Sequence, residues 1–288
     1  MNGVINLYKE KGITSFSAVA AVRKLSNTRK VGHTGTLDPE AEGVLPVCIG
    51  KATKLVDYIM AGNKVYRAGF KLGKTSDTLD AFGEVQETGK PIPKEEQVRE
   101  KLNEFLGDTM QLPPMFSALK INGKRLYDLA REGIEVHREK RAIHVFDIVL
   151  VSFSEDEGEI LLTCTKGTYV RSIIDDLGQK LGCGAIMTSL IREATGTFSL
   201  ENAVTLETLE NDGYEKHLIP MEIILSDYKR VTVSDSFIKL IVNGVKVKDS
   251  RLISSVDEGL YRGYSEKGDL LGILERKEEF LYLKVNLM

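Results

Sequence analysis

The stretch Gly32-His33-Thr34-Gly35-Thr36-Leu37-Asp38-Pro39-Glu40-Ala41-Glu42-Gly43-Val44-Leu45-Pro46 constrains the fold more than any other part of the chain. It ends in Val44-Leu45-Pro46-Val47-Cys48-Ile49-Gly50, an unbroken apolar run that reads as a buried strand. The residues before that strand cannot continue it. Gly32, Gly35 and Gly43 permit positive φ or close backbone approach, while Pro39 fixes its own φ and pushes Asp38 out of the α region. A polar loop is thus fastened to a core strand, and its one central carboxylate, Asp38, is presented on a turn. Asp before Pro is a common turn starter. Crowding by His33, Thr34 and Thr36 adds the chemistry of a nucleophile or of a general acid or base.

Elsewhere the periodicity predicts short elements of both kinds. Val4 to Leu7 reads as a strand, and Thr14 or Ser15 caps a helix to about Leu25 with Phe16, Val19 and Ala20 on one side. Tyr66, Ala68, Phe70 and Leu72 alternate with polar or small residues as a strand does. Pro93 opens a helix carrying Val98, Leu102, Phe105 and Leu106, stopped by Gly107. A strand through Ile160, Leu162 and Cys164 leads to Lys166-Gly167, and a helix through Ile173, Ile174, Leu177 and Leu181 stops at Gly182. Without a regular βαβ rhythm, the fold class is α+β: a mixed, largely antiparallel sheet with packed helices. After about Tyr228 five short strand candidates appear, at 230–233, 245–247, 260–264, 270–274 and 280–285, with a helical patch from Phe237 to Val242. Several short strands in so few residues suggest a small β-barrel.

Charge excludes a uniformly basic nucleic-acid coat: 39 Lys and Arg oppose 42 Asp and Glu, a net of -3. The distribution is uneven. Residues 119–141 carry seven bases against four acids, and residues 76–108 carry nine acids against four bases. The three cysteines and four histidines are scattered, so neither a disulfide framework nor a zinc site is expected. No metal and no cofactor is expected. Gly73-Lys74-Thr75 imitates a phosphate loop but has Ala68 where the first glycine belongs. The first residues lack the basic and apolar regions of a signal peptide, and no run suits a membrane span. A cytoplasmic protein is expected.

The loop closely resembles the G-H-T-G-[AT]-L-D-P-x-A-x-G-x-L-P motif of the bacterial tRNA pseudouridine-55 synthases, the TruB family. Lys166-Gly167-Thr168-Tyr169-Val170-Arg171 is similar to that family's K-G-[TF]-Y-[IV]-R motif, and Lys9-Glu10-Lys11-Gly12-Ile13-Thr14-Ser15 to its K-P-x-G-x-[TS]-S element. The resemblance implies the pseudouridine synthase fold over residues 1–228, an RNA-clamping insertion near 111–141, and a PUA-like RNA-binding barrel over 229–288. It implies isomerisation of uridine 55 in the T-loop of tRNA, without cofactor, on a flipped-out base. Asp38 becomes the catalytic carboxylate, with Arg171 pairing it and keeping it ionised. Tyr66 lies against the uracil and is a candidate for proton transfer, although alone it reads as a core aromatic. Tyr169 and Leu190 form pocket walls. His33 packs on the opened RNA loop, or else bonds its own backbone as a turn residue. Lys120, Lys124 and Arg125, interleaved with Phe116 and Tyr127, suit an element lying on RNA. The expected partner is the tRNA T-stem-loop, with no membrane and no obligatory protein partner. Glu42, Glu10 and Ile191 depart from the family pattern. A non-catalytic protein that remodels tRNA would need the insertion and barrel as well, but not Asp38, Tyr66 and Arg171 together.

Overall fold

The computed structural model describes residues 1–121 and 123–288. Among them, nine strands form one sheet: β1 (Gly3–Lys9), β2 (Val31–His33), β3 (Glu42–Ile49), β4 (Lys64–Leu72), β5 (Gly107–Gln111), β6 (Arg141–Ser154), β7 (Glu157–Cys164), β8 (Ala185–Thr195) and β9 (Phe198–Ser199). The spatial order is β1-β3-β8-β4-β7-β6-β5, with β2 beside β3 and β9 beside β8. Every pairing is antiparallel except β3 with β8. The apolar run after the Asp38 loop is the β3 strand, wholly buried from Gly43 to Ile49. Its burial on both faces explains the absence of alternation in its sequence.

Three helices matter for the site. The first, α1 (Ser15–Leu25), is capped by Thr14, whose hydroxyl accepts the Ser17 N–H at 2.9 Å. It buries Ser15, Ala18, Val19 and Val22. Phe16, expected on the apolar side, is 72% exposed, because that stripe passes through positions 15, 18, 19 and 22. The second, α2 (Glu95–Asn103), starts two residues after Pro93 and buries Val98 and Leu102; Phe105 is buried beyond its end but Leu106 faces out. The third, α3 (Val170–Leu181), buries Ile173, Ile174 and Leu177 and ends at Gly182, left-handed at φ 75°. These helices and the sheet share one core containing Ile5, Leu45, Phe70, Ile160 and Leu177.

Of the expected C-terminal barrel, the described residues show a four-stranded sheet. Residues 229–286 form an open four-stranded sheet, β10 (Lys229–Val233), β11 (Gly259–Ser265), β12 (Leu270–Lys277) and β13 (Phe280–Asn286), in that order. The 245–247 segment contributes only an isolated bridge, Val247 to Leu281. Its start is held elsewhere: Gly244 and Val245 donate N–H groups to Ile241 and Leu240, closing the preceding helix. Ile273 and Leu287 of this region pack with Val44, Cys48, Leu55 and Leu225 in a second core, so the small sheet packs against the large one without pairing with it among the described residues.

Candidate active site

The Asp38 loop connects β2 to β3 and is pinned on both sides of the aspartate. Before it, Ser15 Oγ donates to the Leu37 carbonyl and accepts the Leu37 N–H, both at 2.9 Å. After it, the Pro39 carbonyl accepts from Gly12 N–H at 2.9 Å and from Lys9 Nζ at 3.0 Å. Lys9 is wholly buried and also donates to the carbonyls of Glu10 and Ile13. Burial pulls its ammonium down to about 8, against the upward pull of Asp38, Glu40 and Glu42. The backbone around Asp38 is fixed while its side chain stays 44% exposed. That combination holds a carboxylate still and leaves it reachable.

Arg171, the second residue of α3, is the organiser. Its side chain is only 7% exposed. One terminal nitrogen, Nη2, reaches Asp38 Oδ2 at 3.0 Å and the Phe116 carbonyl at 2.8 Å. The other, Nη1, donates to the Thr78 carbonyl at 3.0 Å and faces Asp80 Oδ2 at 3.7 Å. A planar fork satisfies these acceptors at fixed angles, which a lysine cannot do. The expected Arg171–Asp38 pair is present, and it draws the acidic 76–82 turn and the start of the insertion to the same point.

A cleft of about 900 Å³ opens over the pair, lined by His33, Asp38, Phe116, Lys120, Arg125 and Tyr127 among others. Lys124 lies on the same two-stranded ribbon, its neighbour Arg125 paired with Lys120 across it. Asn122, within the expected insertion, lies outside the described residues. His33 Nδ1 accepts the Gly35 N–H at 3.2 Å, leaving Nε2 to carry the proton of the neutral ring. Burial, helped by Arg192, lowers the His33 pKa. His33 is therefore both the self-bonding turn residue and a wall of the cleft. Tyr66, Tyr169 and Leu190 do not line this cleft among the described residues. Leu190 is in the main core at 9% exposure, with Tyr66 packed against that core. Burial raises the pKa of both tyrosines; Arg192 pulls that of Tyr66 back and Asp38 reinforces the rise in each. The Tyr169 backbone is clamped by Gln111, which accepts its N–H at 2.8 Å and donates to its carbonyl at 3.0 Å.

Three groups escaped the sequence reading. Arg192 is 1% exposed, sits opposite Tyr66 in register, and donates to the carbonyls of Val44 at 2.7 Å and Gly35 at 3.1 Å. It ties the two ends of the Asp38 loop to β8. Lys9 and Asp80 complete the set; the sequence signal for Asp80 was only its place in an acidic turn. The discordant Glu42 has a partner, since Tyr8 Oη donates to its carboxylate at 2.8 Å. Among the described residues no group of three or more His, Cys, Asp or Glu side chains converges as a metal site would. No helix there is long and apolar enough to cross a membrane.

A reachable carboxylate on a braced loop, an arginine fork beneath it and a cleft carrying Lys120, Arg125 and Arg131 above it make an enzyme-like site, and comparison with known proteins gives it a family. Residues 23–170 match the TruB family pseudouridylate synthase N-terminal domain, and residues 171–226 match the tRNA pseudouridylate synthase B C-terminal domain. The chain belongs to the TruB family. A protein of Clostridium perfringens named tRNA pseudouridine synthase B is 51% identical over 284 residues, covering 97% of this chain and 96% of its own. Its namesake from Clostridium acetobutylicum is 45% identical over 280 residues, covering 97% of each chain. Among solved structures, a chain of a Cbf5-Nop10-Gar1 complex superposes with a TM-score of 0.74 at 27% identity, covering 99% of this chain and 85% of that one.

Proposed function

We propose that this chain isomerises uridine 55 in the T-loop of tRNA to pseudouridine, acting in the bacterial cytoplasm. The bond between uracil N1 and ribose C1′ breaks, the base turns, C5 bonds to C1′, and the proton lost from C5 is matched by one taken up at N1. Bonds made and broken balance, so the reaction asks for no redox partner and no ATP. The observation that carries this reading is the Asp38 carboxylate, half-exposed in the cleft and held by Arg171 at 3.0 Å. It supplies the negative group that must sit at the junction of sugar and base. The names of the relatives supply the substrate class.

The target uridine must leave its stack, at a cost of about a few kcal/mol. His33, flat and neutral on the cleft wall, suits the opened loop, and aromatic stacking returns roughly 1–3 kcal/mol per base. Tyr66, Tyr169 and Leu190 are assigned to the floor that the base reaches after entering. Lys120, Lys124 and Arg125 are assigned to phosphate contacts of the clamping insertion at 111–141. Residues 1–228 are assigned as the catalytic unit and 229–288 as a PUA-like RNA-binding unit.

The test is tritium release from uracil C5 of labelled tRNA, with purified protein and no added cofactor. Wild type releases tritium. Asp38→Asn, which keeps size and loop shape, retains the melting temperature and releases none. Intact tRNA binding without any wild-type release would replace the enzyme with a tRNA-remodelling protein.

A further inference from the structure

Between Glu10 and Asp38 the chain has no acidic residue, while it carries Lys11, Arg23, Lys24, Arg29 and Lys30. In a protein of net charge -3 this is a marked segregation. Arg23, Lys24, Arg29 and Lys30 are all exposed, grouped where α1 ends and the chain turns into β2. None of the four makes an ion pair among the described residues. Helix α4 (Leu206–Asp212), which packs against α1 and carries Glu207 and Glu210, does not neutralise them. Arg23 and Lys24 have a local role, since cations in a last helical turn favour the helix dipole. Arg29 and Lys30 lie outside any helix and have no such role. The Lys30 carbonyl accepts the Gly50 N–H at 2.8 Å, so the turn is fixed by backbone and its side chain is spare. Exposed cations kept together without a counter-charge make a positive surface that attracts an anion from outside.

Position selects the anion. Strand β2 runs from this turn to His33, so Lys30 and His33 are three residues apart, about 10 Å at a strand's rise. That distance corresponds to roughly three base steps of a nucleic-acid strand. The patch therefore adjoins the Asp38 loop, whereas Lys120 and Arg125 belong to the separate insertion ribbon. We infer that Arg23, Lys24, Arg29 and Lys30 form a second phosphate-binding surface, which grips the stem that leads into the loop being modified. Two anchors on different elements fix the direction of a strand where one would only attract it. The inference rests on the tRNA reading above and extends it to the turn that leads into the Asp38 loop.

The experiment measures binding of wild type and of Arg29→Gln/Lys30→Gln to full-length tRNA and to an isolated T-stem-loop, over a range of salt. Loss of two phosphate contacts should reduce the slope of log K against log salt by roughly two, on both RNAs. The charge-preserving Arg29→Lys/Lys30→Arg variant should keep the wild-type slope, which separates charge from fold. An unchanged slope in the neutral variant overturns the proposal, and so does a change seen with full-length tRNA but absent from the stem-loop. Tritium release by wild type is followed in parallel: its absence removes the enzymatic reading, while a flattened slope would still establish the phosphate surface.

Discussion

Arg171 concentrates more of the site's order than the aspartate it holds. Its guanidinium satisfies Asp38 and the carbonyls of Thr78 and Phe116, and it sits beside the nearly buried Asp80. Arg171→Ala leaves the Thr78 and Phe116 carbonyls without their donor, at a cost of about 1–3 kcal/mol for each buried group left unsatisfied; urea unfolding should show the loss. Arg171→Lys keeps the charge but not the fork. It should retain most of the stability and lose tritium release by roughly a hundredfold, and near-normal turnover would show that charge alone suffices. His33 makes a prediction about pH. Its folded pKa is lowered below 6.5, chiefly by burial, so the unfolded chain binds the proton more readily. The His33 contribution is then present above 6.5 and lost as pH falls through the folded value. Melting curves across that window should show His33→Gln gaining on wild type as the solution is acidified, and a constant difference would sink the assignment. Asp38 was legible because glycines and a proline announce its turn, and Arg171 because its segment resembles a family motif. Lys9 and Arg192 were not, because their importance comes from burial, which single positions in a strand do not reveal.

Elements were legible in proportion to their regularity. Helices α1 and α3 have helical apolar spacing and an end signal, the Thr14 cap in one and Gly182 in the other, and β1 is a short apolar run, so each is legible within a few residues of its bounds. The two longest strands, β6 and β8, gave no readable alternation. Each carries two register shifts, near Val145 and Leu150 in β6, and near Met187 and Arg192 in β8. A bulge inserts one residue and reverses the inward set, so period two is broken. In β8 the second bulge falls just after Arg192, beside the residue that ties the Asp38 loop down. The same junction explains Gly43. It has φ 107°, and a Cβ there would sit 2.3 Å from the Arg192 carbonyl oxygen. Gly43→Ala should cost about 2 kcal/mol or more through overlap and backbone strain. Because β3 and β8 are parallel neighbours here, the shift reaches Arg192 and the loop. The expected result is a lower urea midpoint together with reduced tritium release; a fall in stability with full activity would detach the loop from this contact.

The whole molecule solves a problem that its net charge poses. A chain of charge -3 that acts on a polyanion needs its bases gathered locally, and the insertion ribbon and the turn before β2 are the two places proposed for that role. Such an arrangement works only if the pieces are held rigidly with respect to one another. The second core is what holds the C-terminal sheet: Ile273 of β12, Leu287, and Val44 and Cys48 of β3 pack together, all nearly or wholly buried. Strand β3 is also the strand that leaves the Asp38 loop, so one element belongs to both the site and the junction. The C-terminal strands should then open together with β3 and not fray independently. Ile273→Ala removes buried methyl groups at a cost of about 2–5 kcal/mol. Hydrogen exchange read by mass spectrometry should show faster exchange in β3 as well as in β11 and β12. Protection of β3 that stays at the wild-type level while β12 opens would mean that the small sheet is an appendage, and that the Asp38 loop is anchored without it.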